Sequence, residues 1–225
     1  LLLINMERKV VITKDGSSSI FLPEWEEHYH SSHGAIQEAF HVFIRNGFDL
    51  FKGRTKINVL EIGYGTGLNA FITYLESKHC EMEVDYVGME AFPVNPDEVH
   101  CLNFVEQLGV PTEKHVFLAM HEDPWEAKNQ YDKRFFLTKR KQLFQRLMDK
   151  EAYDLIYFDA FGARVQPELW TEIIFKKMYE ALVRGGVLVT YAAKGSVRRA
   201  MLAVGFEVEK LPGPPGKREM LRAKK

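Results

Sequence analysis

Cysteine is scarce: Cys80 and Cys101 are the only two in 225 residues, and they stand at no metal-ligand spacing. That excludes a disulfide framework or a zinc scaffold and suits a reducing cytoplasm. Long hydrophobic runs are missing too, with nothing near the ~18 apolar residues a membrane-crossing helix needs. Charge of one sign is also lacking. At a net −1 the chain has no global attraction to nucleic acid, so any such surface must be a local basic patch balanced elsewhere. Repeats and low-complexity tracts are absent. The opening Leu1 to Asn5, ahead of Met6, has neither a basic start nor a long apolar stretch, and reads as upstream sequence rather than a signal peptide. What remains, at 46% hydrophobic, is enough to bury one full core. We expect one domain over residues 55–225, preceded by an N-terminal extension over 1–54.

The most informative stretch is Val59-Leu60-Glu61-Ile62-Gly63-Tyr64-Gly65-Thr66-Gly67-Leu68-Asn69. An apolar run stops at three glycines spaced two apart, and a helical pattern (Leu68, Phe71, Ile72, Leu75) starts at once, predicting strand, tight turn and helix. Glycine suits such a turn because it takes positive φ and lets a ligand lie directly on the backbone. The spacing G-x-G-x-G lacks the third position of the dinucleotide fingerprint G-x-G-x-x-G, which argues against nicotinamide chemistry. It looks instead like the S-adenosylmethionine loop of Rossmann-like methyltransferases. A structural β-to-α turn is the bland alternative. Against it stands Glu90, which ends the next apolar strand 23 residues after Gly67 and is placed to accept both hydroxyls of a ribose.

Other elements follow the same rules. Residues 8 to 22 read as a hairpin around Lys14-Asp15-Gly16-Ser17, and Ala35 to Asn46 as a helix with Ile36, Phe40, Phe43 and Ile44 buried. Asn95-Pro96-Asp97 predicts a helix start, running to about Leu108. Between residues 110 and 150 the pattern is weak. Val116 to Leu118 is helix or strand, Glu122 to Tyr131 reads as helix, Phe135 to Leu137 as strand, and a further helix is expected after Lys139-Arg140-Lys141. Tyr153 to Asp159 is a strand, Pro167 to Leu182 a helix closed by Gly185-Gly186, Val187 to Tyr191 a strand, and Ser196 to Val204 a helix. A final hairpin pairs Phe206 to Leu211 with Arg218 to Ala223. Strands alternating with helices predict an α/β fold: a mostly parallel, seven-stranded, Rossmann-like sheet with an antiparallel edge hairpin.

In such a sheet the ligand site lies at the carboxyl ends of the strands, where the glycine loop, Glu90 and Asp159 converge. Methyl transfer from a sulfonium is an in-line displacement, so the protein must place a neutral nucleophile and exclude water. Asp159 is the candidate catalytic group, orienting and deprotonating an attacking amine; an N-cap role is weakened because the next helix starts several residues later. Tyr29 is read as part of a loop over the cofactor; Phe161 reads equally as a cover over cofactor or substrate and as a buried aromatic of the turn, and Glu38 as a solvated face or a carboxylate for the methionine ammonium. His28, His30 and His33 lack the partners for a metal site, so none is assigned. Basic residues gather over Lys133, Arg134, Lys139 to Lys141 and Arg146, and again at Lys194, Arg198, Arg199, Lys210, Lys217, Arg218, Arg222, Lys224 and Lys225. Such runs are most often solvated faces, but the second can reach phosphates beside the site.

Four segments together resemble the methyltransferase of the MnmC family: the glycine loop, Gly88-Met89-Glu90-Ala91-Phe92-Pro93, Phe158-Asp159-Ala160-Phe161 with Pro167 to Trp170, and Gly216-Lys217-Arg218-Glu219-Met220-Leu221. Glu27 to Ser31 with Gly34, Ala35 and Glu38 is similar to the family's N-terminal part. The resemblance implies methylation of the 5-aminomethyl group of a wobble 2-thiouridine in tRNA to 5-methylaminomethyl. It makes Asp159 the active-site aspartate and Glu90 the ribose acid. Glu61, Gly63, Gly65, Thr66, Gly67, Asn69 and Ala91 become the cofactor loop and its flanks, and Lys217 and Arg218 the substrate entrance. It also implies a stand-alone methyltransferase, with a separate oxidase or aminomethyl-forming enzyme upstream. Residues 135–141 lack the acid that the family fold often places near the adenine, which leaves that contact to backbone groups. The rival readings are a methyltransferase for a small free amine, and a non-catalytic RNA-binding module of the same fold.

Overall fold

In the computed structural model, residues 6–225 are described; the expected upstream segment, Leu1 to Asn5, lies outside them. The chain opens with β1 (Lys9–Ile12) and β2 (Ser18–Leu22), antiparallel around the predicted turn, and adds the two-residue β3 (Glu27–His28) on the β2 edge. Helix α1 (Ala35–Ala39) runs on into a wider-wound turn over Phe40–Arg45. Val42, Phe43 and Ile44 are buried from it, and Ile20, Val42 and Phe43 join one core with Val59, Phe71 and Tyr157 of the main sheet.

The main sheet follows: β4 (Lys56–Ile62), α2 (Leu68–Ser77), β5 (Glu83–Met89), α3 (Pro96–His100), α4 (Phe104–Gln107), α5 (Lys114–Glu122), β6 (Lys128–Asp132) and β7 (Phe135–Arg140). Then come β8 (Tyr153–Phe158), α6 (Glu172–Ala181), β9 (Leu182–Thr190), α7 (Gly195–Ala203), β10 (Glu207–Pro212) and β11 (Glu219–Lys224). Spatial order is β10-β11-β9-β8-β4-β5-β7-β6, with β4 inside and parallel to both neighbours, β5 and β8. Central strands are apolar on both faces: Val59, Leu60, Ile62, Tyr86, Ile156 and Phe158 are all solvent-free, as a sheet covered by helices on both sides requires. The C-terminal pair β10 and β11 is antiparallel and makes the edge hairpin expected from sequence.

Several expectations need correction. The sheet has eight strands, not seven, because the segment read as a helix over Glu122 to Tyr131 divides: Glu122 ends α5, and β6 pairs antiparallel with β7. The sequence Lys-Asn-Gln-Tyr-Asp of β6 has no apolar alternation because it is a sheet edge, half-exposed throughout. Val116 to Leu118, left open between helix and strand, lies in α5. After Lys141 only a single short turn forms, at Phe144–Arg146. The helix to Leu108 is two pieces, α3 and α4; Pro96 opens the first, and Glu98 Oε2 accepts the Asn95 N–H at 2.8 Å. A short turn at Pro167–Trp170 precedes α6, whose Ile173 points to solvent at 72% exposure. Gly185 and Gly186 lie inside β9 rather than closing α6, where the register against β8 shifts.

Phe135, fully buried, meets Tyr74 edge-on at 5.4 Å and Tyr86 at 6.0 Å, tying β7 to α2 and β5. Phe135→Ala leaves a cavity there and should cost about 3–5 kcal/mol in denaturant unfolding. A loss under 1 kcal/mol would show that this junction does not hold β7 in place.

Candidate functional site

Register decides where the ends of β4, β5 and β8 meet. Ile62 pairs with Met89 on one side and Phe158 on the other, so Gly63, Glu90 and Asp159 leave the sheet side by side. The backbone there is locked: Gly63 and Tyr64 N–H both donate to Met89 O, and Asp159 N–H donates to Ile62 O at 2.9 Å. Gly63 (φ 93°) must be glycine, since a Cβ would lie 2.5 Å from the Asp159 carbonyl oxygen.

Over these strand ends opens a cavity of about 320 Å³, within the range of small-molecule sites. Gly63, Gly65, Thr66, Asn69, Glu90, Ala91, Asp159, Phe161 and Tyr29 line it. Glu90 and Asp159 therefore share one crevice. Gly63 and Gly65 reach the cavity, and the Tyr29 ring packs over the bend, 3.2 Å from where a Cβ on Gly65 would stand. Phe161 meets Tyr29 edge-on at 4.9 Å and Trp25 at 5.6 Å, so three rings wall one side.

Each acid is held differently. Glu90 accepts the Gly65 N–H through Oε2 at 3.1 Å and the Phe92 N–H through Oε1 at 2.9 Å. Burial raises its pKa and these backbone donors oppose the rise. Asp159 Oδ2 accepts from Asn69 Nδ2 at 2.8 Å. Burial, and then the negative charge of Glu38, push the Asp159 carboxyl up to about 7, against the Asn69 hydrogen bond and the cation of Lys217. A carboxyl poised there can take and release a proton near neutrality.

The remaining expected residues fall outside the cavity lining. Glu61 is fully buried beneath it, accepting from Asn69 Nδ2 and from Tyr86 OH, each at 2.8 Å. Gly67 (φ 70°) turns the chain into α2, against His121. Glu38 is 7% exposed, bonded to the Ser31 N–H and to Lys217. Lys217 Nζ also sits over the Tyr191 ring, 3.9 Å from its centre. Arg218 is exposed. Other basic residues are engaged as well: Arg140 with Asp149, Lys210 with Glu219, and Arg222 with Glu209. Lys139 is fully buried, donating to His121 O at 2.7 Å, and burial lowers its pKa to about 8.

Sequence reasoning missed three contributors. His30 bridges Ser19 Oγ (3.2 Å) and Thr66 Oγ1 (3.1 Å), joining the N-terminal sheet to the glycine loop; burial drops its pKa to about 4, so it stays neutral. Tyr191, just past β9, donates to Ala160 O at 2.8 Å, and the strand-end rule that found Asp159 also points to it. Leu143, Phe144 and Gln145 also line the cavity, and no local pattern marks them. Among the described residues no group of three or more His, Cys, Asp or Glu is arranged to hold a metal ion, and no helix is long and apolar enough to cross a membrane.

Comparison with known proteins bears on what this crevice serves. Residues 133–225 match the family model described as "S-adenosyl-L-methionine-dependent methyltransferase". The crystal structure of MNMC2 from Aquifex aeolicus superposes with a TM-score of 0.76 at 24% identity, covering 97% of this chain and 70% of that one. The chain has the α/β fold of S-adenosylmethionine-dependent methyltransferases. Two curated relatives are named tRNA 5-methylaminomethyl-2-thiouridine biosynthesis bifunctional protein MnmC. The one from Aromatoleum aromaticum is 28% identical over 211 residues, covering 87% of this chain and 32% of that protein. The one from Paracidovorax citrulli is 30% identical over 217 residues, covering 90% and 33%. The chain thus spans about a third of the length of these relatives. The matched model and the fold point to S-adenosylmethionine as the cofactor, and the cavity lining suits it: Gly63 and Gly65 on the floor, Glu90 beside them and aromatic rings on one wall.

The raised Asp159 pKa has a consequence for stability. Between its ordinary 3.8 and about 7 the folded chain holds a proton that the unfolded chain releases, so this contribution, present below pH ~4, is lost as pH rises through ~7. At pH 8 Asp159→Asn should melt higher than the parent by roughly 3 °C, and the gap should close toward pH 4. An equal melting temperature at both pH values contradicts this.

Proposed function

We propose that this chain methylates the primary amine of a 5-aminomethyl-(2-thio)uridine at the wobble position of tRNA, giving the 5-methylamino product. Support comes from Asp159, poised near neutrality in the same crevice as the glycine loop and Glu90, and from relatives whose printed names specify that biosynthesis. Glu90 would accept the ribose hydroxyls, Gly63 to Thr66 would underlie the methionine portion, and the wall of Leu143, Phe144 and Gln145 would take the adenine. The bound cofactor supplies a methyl group made electrophilic by its sulfonium.

The residues around the acceptor have to solve a protonation problem. An alkylammonium has no lone pair, so the amine must be neutral when it attacks. Desolvation in the aromatic-walled cavity lowers the amine's pKa, while a nearby carboxylate raises it. Asp159 is suited to the task because it is itself hard to keep charged: it takes a proton from the incoming ammonium and aims the freed lone pair. The lone pair held there would displace the methyl group from the sulfonium, whose bonding electrons would stay on sulfur. The secondary ammonium product then gives up its proton to solvent, or to Asp159 once that carboxyl has passed its first proton to solvent. Tyr29, Trp25 and Phe161 would exclude water and stack on the base.

Basic charge for the RNA would come from residues with no ion pair among the described ones, including Arg146, Lys194, Arg199 and Arg218. Lys217 is committed to Glu38.

The test is incubation with methyl-labelled S-adenosylmethionine and tRNA that carries unmethylated 5-aminomethyl-2-thiouridine, followed by nucleoside analysis. Label should appear in the 5-methylaminomethyl nucleoside, and Asp159→Asn should lose at least about a hundredfold in turnover. Label on a free polyamine and none on RNA would favour a small-amine methyltransferase; cofactor binding with no transfer to either would favour a non-catalytic module.

A further inference from the structure

Glu61 and Asn69 stand where a cofactor contact is expected, yet their hydrogen bonds run inward. Asn69 Nδ2 donates to two carboxylates at once, Glu61 Oε1 and Asp159 Oδ2, both at 2.8 Å. An amide nitrogen has two hydrogens, so this group is fully used. The opposite amide orientation would aim the Asn69 oxygen at two acceptors, which repel it. Glu61 has no exposed surface, and its other oxygen accepts from the buried Tyr86 hydroxyl on β5. A chain of contacts thus runs from the middle of the sheet to the cavity: Tyr86, Glu61, Asn69, Asp159.

We propose that Glu61 and Asn69 are positioning residues for Asp159: the buried Glu61 fixes which way the Asn69 amide faces, and Asn69 keeps the Asp159 carboxylate aimed and available as a proton acceptor. The competing neighbours are known. Asp159 feels Glu38 from α1, Lys217 from the loop between β10 and β11, and Tyr191 from the end of β9, besides Glu61 and Asn69. Glu38 and Lys217 are paired with each other, and of their opposite influences on Asp159 that of Glu38 is the larger, so Asn69 is the main group opposing the rise. Asn69 is then the one direct donor to the Asp159 carboxylate among the side-chain hydrogen bonds of the described residues. A Glu61 acting merely as a nearby negative charge would make Asp159 harder to ionise. Acting through Asn69, it does the reverse, because it holds the donor in place. These two roles predict opposite signs.

The proposal rests on Asp159 being the proton acceptor, and its test is chosen to fail separately from that reading. The full chain, labelled with ¹³C at aspartate carboxyls, is titrated by NMR, and Asp159 is assigned by the signal lost in Asp159→Asn. Asn69→Leu, which keeps the shape and removes both donors, should raise the Asp159 midpoint by about one pH unit. Glu61→Met combined with Tyr86→Phe, which leaves no hydroxyl unpaired, should also raise it, although loss of a neighbouring charge alone would lower it. Should Asn69→Leu not fold, Asn69→Ala carries the same expectation. A midpoint that stays or falls in either the residue 69 variant or the Glu61→Met/Tyr86→Phe variant overturns the relay. Full turnover in Asp159→Asn would instead overturn the role of Asp159, whatever the titration gives.

Discussion

Ile62 is hydrogen-bonded into a parallel ladder between Met89 and Phe158, and that shared register decides where chemistry can happen. Three strands that end level with one another deliver the glycine loop, Glu90 and Asp159 to one edge. The residues themselves are 27 to 96 positions apart in sequence, from Gly63 to Glu90 and to Asp159. A slip of one residue in a parallel pair would turn an inward side chain outward. The apolar faces on both sides of the sheet make such a slip costly, because Leu60, Ile62, Val87, Met89, Ile156 and Phe158 would exchange environments together. The fold's stability and the geometry of the crevice therefore have the same source.

Burying acids at that edge sets the second constraint. Glu61, Glu90 and Asp159 all lie close to the ends of adjacent strands, and burial raises the pKa of each. Each is compensated differently. Glu90 takes backbone N–H groups, Glu61 takes a tyrosine hydroxyl and an amide, and Asp159 takes one amide hydrogen. The least compensated of the three, Asp159, lines the cavity. That gradient separates similar carboxyls: Glu90, buried but held by backbone N–H groups, keeps its charge more readily, while Asp159 stays near the point of exchanging a proton.

Much of this was legible because it is local. The strand, triple glycine and helix form one contiguous stretch, and Glu90 and Asp159 each close an apolar run that reads as a strand by itself. The parts that were not legible depend on partners far away. Strand β6 shows no period of two. Its Lys128 is held by Asp85 of β5 and lies over the Phe136 ring of β7, so tertiary contacts rather than pattern make it a strand. Lys139 looked like part of a basic surface, but the pleat turns it inward beneath His121. Glu38 and Lys217, read separately as a cofactor contact and a substrate contact, are 179 residues apart and bind each other. His30 sat in a histidine-rich stretch whose role emerges only when β2 brings Ser19 alongside and the glycine loop brings Thr66.

The most direct measurement is a crystal structure of the full chain with S-adenosylhomocysteine. The account predicts the ribose hydroxyls within hydrogen-bond distance of Glu90, the homocysteine portion along Gly63 to Thr66, and the sulfur facing the side of the cavity that holds Asp159. A nucleoside bound away from Glu90, or a sulfur turned from Asp159 with that carboxylate sealed off, would contradict it.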